Sequence, residues 1–93
     1  MALERRRVHF EGRVQGVGFR YTAQRLAPGF GVRGFVRNLP DGRVELEAQG
    51  DPSSVRAFLA SIRSALGSKI DAVAEEQLPV DPDQPEGDFQ ILF

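Results

Sequence analysis

Gly12-Arg13-Val14-Gln15-Gly16-Val17-Gly18-Phe19-Arg20 is the stretch whose reading organises the chain. Before it, Arg7-Val8-His9-Phe10-Glu11 alternates with the period of a strand, placing Val8, Phe10 and Val14 on one face and His9, Glu11 and Arg13 on the other. After it, a short helix is expected from Phe19 to Ala27, with Phe19, Ala23 and Leu26 sharing a face and Pro28-Gly29 ending or kinking it early. A glycine-spaced turn from strand into helix presents backbone N–H groups at the positive end of the helix dipole, where a phosphate is favoured. Arg20, in the first helical turn, adds a bidentate partner for the same anion. Glycines equally serve a plain turn that needs positive φ, so spacing alone leaves anion cradle and structural turn both open.

Further along, Val32-Arg33-Gly34-Phe35-Val36-Arg37 reads as a second strand and Asn38-Leu39-Pro40-Asp41-Gly42 as a turn with an Asp-Gly signal. Arg43 to Gln49 alternates cleanly and pairs with the second strand as a hairpin, with Val44, Leu46 and Ala48 inward and the other face expected to meet solvent. Asp51 is the expected N-cap of a second helix with Pro52 at its first position. Val55, Phe58, Leu59, Ile62 and Leu66 recur at helical spacing, and Gly67 stops the helix. Ile70 to Leu78 is a weaker strand and Pro79 to Gly87 an exposed acidic loop. Asp88 to Phe93 is a final strand with Phe89, Ile91 and Phe93 on one side. The order is β-α-β-β-α-β plus a short final strand. That is the ferredoxin-like α+β sandwich, an antiparallel sheet with two helices on one face, formed as a single domain over residues 1–93.

Composition narrows the function classes. The absence of cysteine excludes a disulfide framework, a thiol nucleophile and a thiolate metal site. With 41% hydrophobic and 27% charged residues the chain has a globular balance. No apolar run reaches transmembrane length, and Arg5-Arg6-Arg7 is followed by no signal-peptide core. A cytoplasmic monomer without membrane contact is therefore the expectation. The net charge of -1 argues against a nucleic-acid binder held by phosphate contacts. The charge is uneven, however: residues 1–43 carry nine arginines against three acids, and residues 44–93 carry three basic residues against ten acids. The glycine loop lies in the basic half, which suits a small anion unless folding interleaves the halves.

Two nucleotide motifs fail here. No lysine follows the glycines as a Walker A loop requires, and Gly16-Val17-Gly18 is not continued as G-x-G-x-x-G. The stretch from Gly12 to Arg20 instead resembles the first signature of the acylphosphatase family, G-x-V-Q-G-V-x-F-R, at every specified position. Gly34-Phe35-Val36-Arg37-Asn38 resembles the second signature at the family's spacing, and Phe89 to Phe93 resembles the closing strand, where tyrosine is more usual last. The resemblance covers essentially the whole chain. It implies the ferredoxin-like fold and hydrolysis of the carboxyl–phosphate bond of small acyl phosphates, without metal or cofactor. It further implies that Arg20 binds the phosphoryl group, that backbone N–H groups of Gln15, Gly16, Val17, Gly18, Phe19 and Arg20 surround its oxygens, and that Asn38 positions the attacking water. A carboxylate leaves readily, so the chemistry needs placed water and charge stabilisation rather than a strong general acid.

Bland readings stand beside each of these. Arg20 alone could be a solvated helix residue, and Asn38 alone a turn former. Gln15 shapes the loop by side-chain hydrogen bonding rather than acting on substrate. His9, the one histidine, has no acid partner placed by the sequence. Arg5-Arg6-Arg7 reads as a frayed terminus, and the acids from Glu75 to Asp88 fit no metal-loop spacing. Phe93 in place of tyrosine bears on stability rather than turnover. Three other functions compete on the same fold. An RNA-binding domain would need an RNP1-like string, of which Gly34 to Arg37 is only a fragment. A regulatory module would bind an anion without turning it over. Acylphosphatase-like domains also open large carbamoyl-transfer maturation proteins.

Overall fold

A computed structural model describes residues 3–82 and 89–93. Its elements run β1 (Glu4–Gly12), α1 (Phe19–Phe30), β2 (Arg33–Asn38), β3 (Val44–Gly50), α2 (Pro52–Leu66), β4 (Ile70–Leu78) and β5 (Gln90–Leu92). The strands form one sheet in the order β4-β1-β3-β2-β5. β1 and β2 both pair antiparallel with β3, and β4 pairs antiparallel with β1. Each helix therefore connects parallel strands with one strand between them, which makes two interleaved split β-α-β units. The architecture is the ferredoxin-like α+β fold that the sequence pattern predicts. One detail differs: β5 pairs with β2 in parallel, so the sheet is mixed rather than wholly antiparallel.

The core lies between the sheet and the helices. Val8, Phe10, Leu46, Phe58, Ile62 and Phe89 are all essentially sealed from solvent. Phenylalanines tie the layers together. Phe10 of β1 meets Phe19 of α1 at 4.8 Å between ring centroids, and Phe58 of α2 meets Phe30 at 6.0 Å and Phe89 at 5.4 Å. Such tilted and edge-on pairs add about 0.5–1.5 kcal/mol each beyond area burial.

α1 is about a turn longer than the sequence predicts, continuing through Pro28 to Phe30. A proline removes one helical hydrogen bond. Here the last turn is held by the Phe30–Phe58 contact and by Gly31, whose left-handed conformation (φ 65°) lets its N–H reach the Pro28 carbonyl. α2 begins as expected, with the Asp51 carboxylate accepting from Ser53 N–H at 3.0 Å. It ends at Leu66, but Gly67 keeps φ −55° and leads into a 3₁₀ turn, Gly67–Lys69, so its stop does not use left-handed freedom.

The outer face of the sheet is the larger correction. Alternation predicts that β3 shows one face to solvent, yet all seven of its residues are buried. Central strands have neighbours on both sides, and here those neighbours lay long charged side chains across the polar face. Glu47 is held by Arg5 through Oε1 at 2.6 Å and by Arg7 through Oε2 at 3.1 Å. Glu45 is held by Arg37 at 2.8 Å and faces His9 Nε2 at 2.9 Å. Arg5-Arg6-Arg7 is thus paired β-structure, not a frayed end, and His9 does have an acid partner. Glu75 and Glu76 sit in β4, where they pair with Arg6 and Arg63 and with Arg7. The basic and acidic halves interleave. The acidic loop and the start of the final strand fall partly outside the described residues.

Candidate active site

The glycine loop leaves β1 at Gly12, where φ is 128° and an added Cβ would fall 2.5 Å from the Lys69 carbonyl oxygen. The close approach lets Arg13 N–H donate to that same carbonyl at 2.9 Å and pins the start of the loop. Gly16 and Gly18 also have positive φ, 76° and 80°, but a Cβ on either would meet nothing within 4 Å. They are glycines for backbone conformation, and the space above them is open. Gly18 is the N-cap of α1 and offers no side chain to the first helical turn; its carbonyl accepts from Thr22 N–H at 2.9 Å. Among the described residues the amides from Gly16 to Arg20 have no hydrogen-bond partner in the protein. Unspent donors at a helix start are the makings of an anion site.

Each side chain of the loop has a separate task. Phe19 is buried against Phe10 and anchors the helix, so only its amide is available to a ligand. Val17 packs partly onto the core. Gln15 donates through Nε2 to the Leu39 carbonyl at 2.8 Å and the Arg43 carbonyl at 3.0 Å, which fastens the loop to the β2–β3 turn. Arg20 is half-buried. Its Nη1 donates to the Leu92 carbonyl at 3.4 Å, and its guanidinium lies 4.8 Å from the Phe93 ring centroid.

These contacts bracket Asn38. Leu92 of β5 pairs with Arg37 of β2, the residue before Asn38, and Leu39, the residue after it, accepts from Gln15. Loop, Arg20 and Asn38 are therefore brought to one end of the sheet. Asn38 ends β2 opposite Val44, and its side-chain Oδ1 is buried with no hydrogen-bond partner among the described residues. A buried carbonyl left unpaired costs about 1–3 kcal/mol, so the Asn38 side chain is held here at an energetic cost.

The charges around the site are held in place. Asp41 accepts from the Arg43 backbone N–H at 3.0 Å, and that bond, with the Arg43 guanidinium, keeps its carboxyl below the usual range. Burial pushes the Glu45 carboxyl up, while hydrogen bonds from His9 and Arg37 outweigh it and hold the group below its ordinary value. Among the described residues no three His, Cys, Asp or Glu side chains converge as a metal site would require.

Phe93 lies beyond the strand. Alternation puts it on one side with Phe89 and Ile91, but β5 ends at Leu92 and Phe93 is 98% exposed, its ring set against Arg20. Phe89 is buried and Ile91 packs against the core as expected. Alternation names the side shared by Phe89 and Ile91 but not the end of the strand, so burial does not extend to Phe93.

Comparison with known proteins identifies the family and the fold. Residues 6–91 match the acylphosphatase family model. The acylphosphatase of Geobacillus thermodenitrificans is 44% identical over 91 residues, covering 95% of each chain. The crystal structure of acylphosphatase from Bacillus subtilis superposes with a TM-score of 0.86 at 31% identity, over 99% of this chain and 100% of that one. Full-length HypF in its phosphate- and nucleotide-bound form matches with a TM-score of 0.83 at 25% identity, over 99% of this chain but 12% of HypF. The chain belongs to the acylphosphatase family, enzymes that hydrolyse acyl phosphates.

Proposed function

We propose that this chain hydrolyses small acyl phosphates to carboxylate and inorganic phosphate without a metal, using the loop from Gln15 to Arg20 and the side chain of Asn38. The observation that carries the reading is the run of unpartnered loop amides at the end of the sheet where Arg20 and Asn38 also lie. The amides and the Arg20 guanidinium take the phosphoryl oxygens. Arg20 is pre-aimed by the Leu92 carbonyl and the Phe93 ring. The Asn38 side-chain amide hydrogen-bonds the attacking water and so holds its lone pair toward phosphorus. A P–O bond to water forms as the P–O bond to the acyl oxygen breaks, and the carboxylate departs with the bonding pair. The water proton passes to a phosphoryl oxygen of the substrate itself, which removes the need for a protein base. Preorganised donors at the developing charge and a fixed nucleophile are the main sources of acceleration for such a transfer.

Benzoyl phosphate tests the proposal as a generic acyl phosphate. Pure folded protein is expected to hydrolyse it at an unchanged rate in a chelator. Arg20→Gln is expected to lose phosphate affinity and turnover together, by about 10²-fold or more in kcat/KM, as for removal of a charge-stabilising donor. Wild-type turnover in folded Arg20→Gln would remove that residue from the site.

A further inference from the structure

The arginines of the outer sheet face are matched by the carboxylates they lie on. Those around α2 are matched only in part. A cavity of about 230 Å³ between α2 and the β4 side of the sheet is lined by Arg6, Arg56, Leu59, Ala60, Arg63 and Glu75. Three guanidinium groups meet Glu75 and the adjoining Glu4 here, and Arg56 also lies in the field of Asp51 at the start of α2. Glu75 is shared by Arg6 at 3.2 Å and Arg63 at 2.7 Å, and Glu4 is held by Arg6 at 3.1 Å.

Donors remain unspent. Arg63 reaches Glu75 through one nitrogen only, and the Arg56 guanidinium makes no hydrogen bond or close ion pair among the described residues. The Nε of Arg6 is buried without a partner, as is Oε2 of Glu4. Arg6 holds the Glu4 carboxyl below its usual range, so the pair stays ionised. A second cavity, about 360 Å³, adjoins at Arg63 and is lined otherwise by Gly67, Ile70 and Val73. The cleft is thus cationic at one end and apolar at the other. It lies along β4, at the opposite edge of the sheet from β5 and Arg20. Four strand spacings separate the edges, about 19 Å.

We propose that this cleft is a second anion site that takes a small organic phosphate, with its phosphate on Arg56 and Arg63 and its apolar body directed past Leu59 toward Ile70 and Val73. Guanidinium forks match phosphate oxygens two at a time, and three terminal oxygens use the unspent donors that a carboxylate would leave idle. The site is independent of the loop reading, since it shares no residue with the stretch from Gln15 to Arg20.

Phenyl phosphate is the probe, titrated into Arg20→Gln protein at physiological ionic strength and followed by amide chemical shifts. Saturable shifts are expected along α2 and β4, with inorganic phosphate weaker for want of the apolar body and benzoate weaker still. Arg56→Gln with Arg63→Gln is expected to raise the dissociation constant by about tenfold or more, as loss of charged hydrogen bonds does. In an Arg20-containing background that double variant should retain benzoyl phosphate turnover, which reports an intact fold. Shifts confined to residues 15–20, cleft shifts unaltered in the double variant, or benzoate binding as well as phenyl phosphate would each overturn the proposal.

Discussion

Replacing Asn38 by alanine separates a catalytic asparagine from a structural one, because the two readings move stability in opposite directions. Asn38 Oδ1 is buried and unpaired, and no hydrogen bond to the Asn38 side chain is made by the described residues. Its polarity therefore costs the folded state about 1–3 kcal/mol, which the truncation relieves, offset by the contacts of the lost amide. A net change between zero and about +1 kcal/mol is expected. For a domain of this size that is a melting temperature unchanged or raised by up to about 4–8 °C. Turnover should move the other way. Loss of the group that orients the nucleophile costs about 10²-fold in kcat, or about 2.7 kcal/mol in the barrier, with KM nearly constant because the phosphate-binding loop is intact. The assay is thermal unfolding by circular dichroism beside benzoyl phosphate kinetics on the same preparation. A melting temperature several degrees lower with wild-type kcat would show instead that Asn38 serves the β2–β3 turn alone.

Phe93→Ala removes the ring on Arg20; an exposed cation–π contact is worth about 0.5–1 kcal/mol, so KM should rise about 2–5-fold with little change in melting temperature, and identical kinetics would show that the ring does not hold Arg20. Gly34→Ala should cost on the order of 4 kcal/mol and largely prevent folding, because φ is 143° and an added Cβ would overlap the Glu47 carbonyl; a urea midpoint near wild type would contradict that geometry. Glu45 has a folded pKa below its ordinary value of 4.5, so its stabilising share is complete above that value and is lost as pH falls below it through the folded pKa. Urea unfolding of Glu45→Gln should accordingly show a flatter loss of stability on the acid side, and an unchanged acid slope would remove Glu45 from the account.

Much of this molecule is legible locally. The alternation of Val8 and Phe10, the stripe from Val55 to Leu66 and the Asp51-Pro52 start of α2 each report a neighbourhood of a few residues, and the structure has each where the pattern puts it. Gly16 and Gly18 announce a turn into a helix because positive φ is a property of single residues. The departures share a cause. Judged by its lost hydrogen bond alone, Pro28 should stop α1, but the Phe30–Phe58 contact that carries the helix past it joins residues distant in sequence. Alternation alone makes the polar face of β3 wet, whereas its dryness depends on which strands flank it and on how far Arg5, Arg7 and Arg37 reach.

By itself the sequence determined the order of elements, the faces that form the core, the glycine loop with Arg20 at its end, and the two signatures that point to the acylphosphatase family. The tertiary structure alone decided how those parts meet. Gln15 reaches 24 residues ahead to brace the turn after Asn38, Arg20 reaches 72 residues ahead to the Leu92 carbonyl, and the Phe93 ring lies against Arg20. Backbone preferences and periodicity act over one or two turns of chain, whereas strand order, parallel pairing of β5 on β2 and an orphaned Asn38 oxygen exist only once distant segments share a surface.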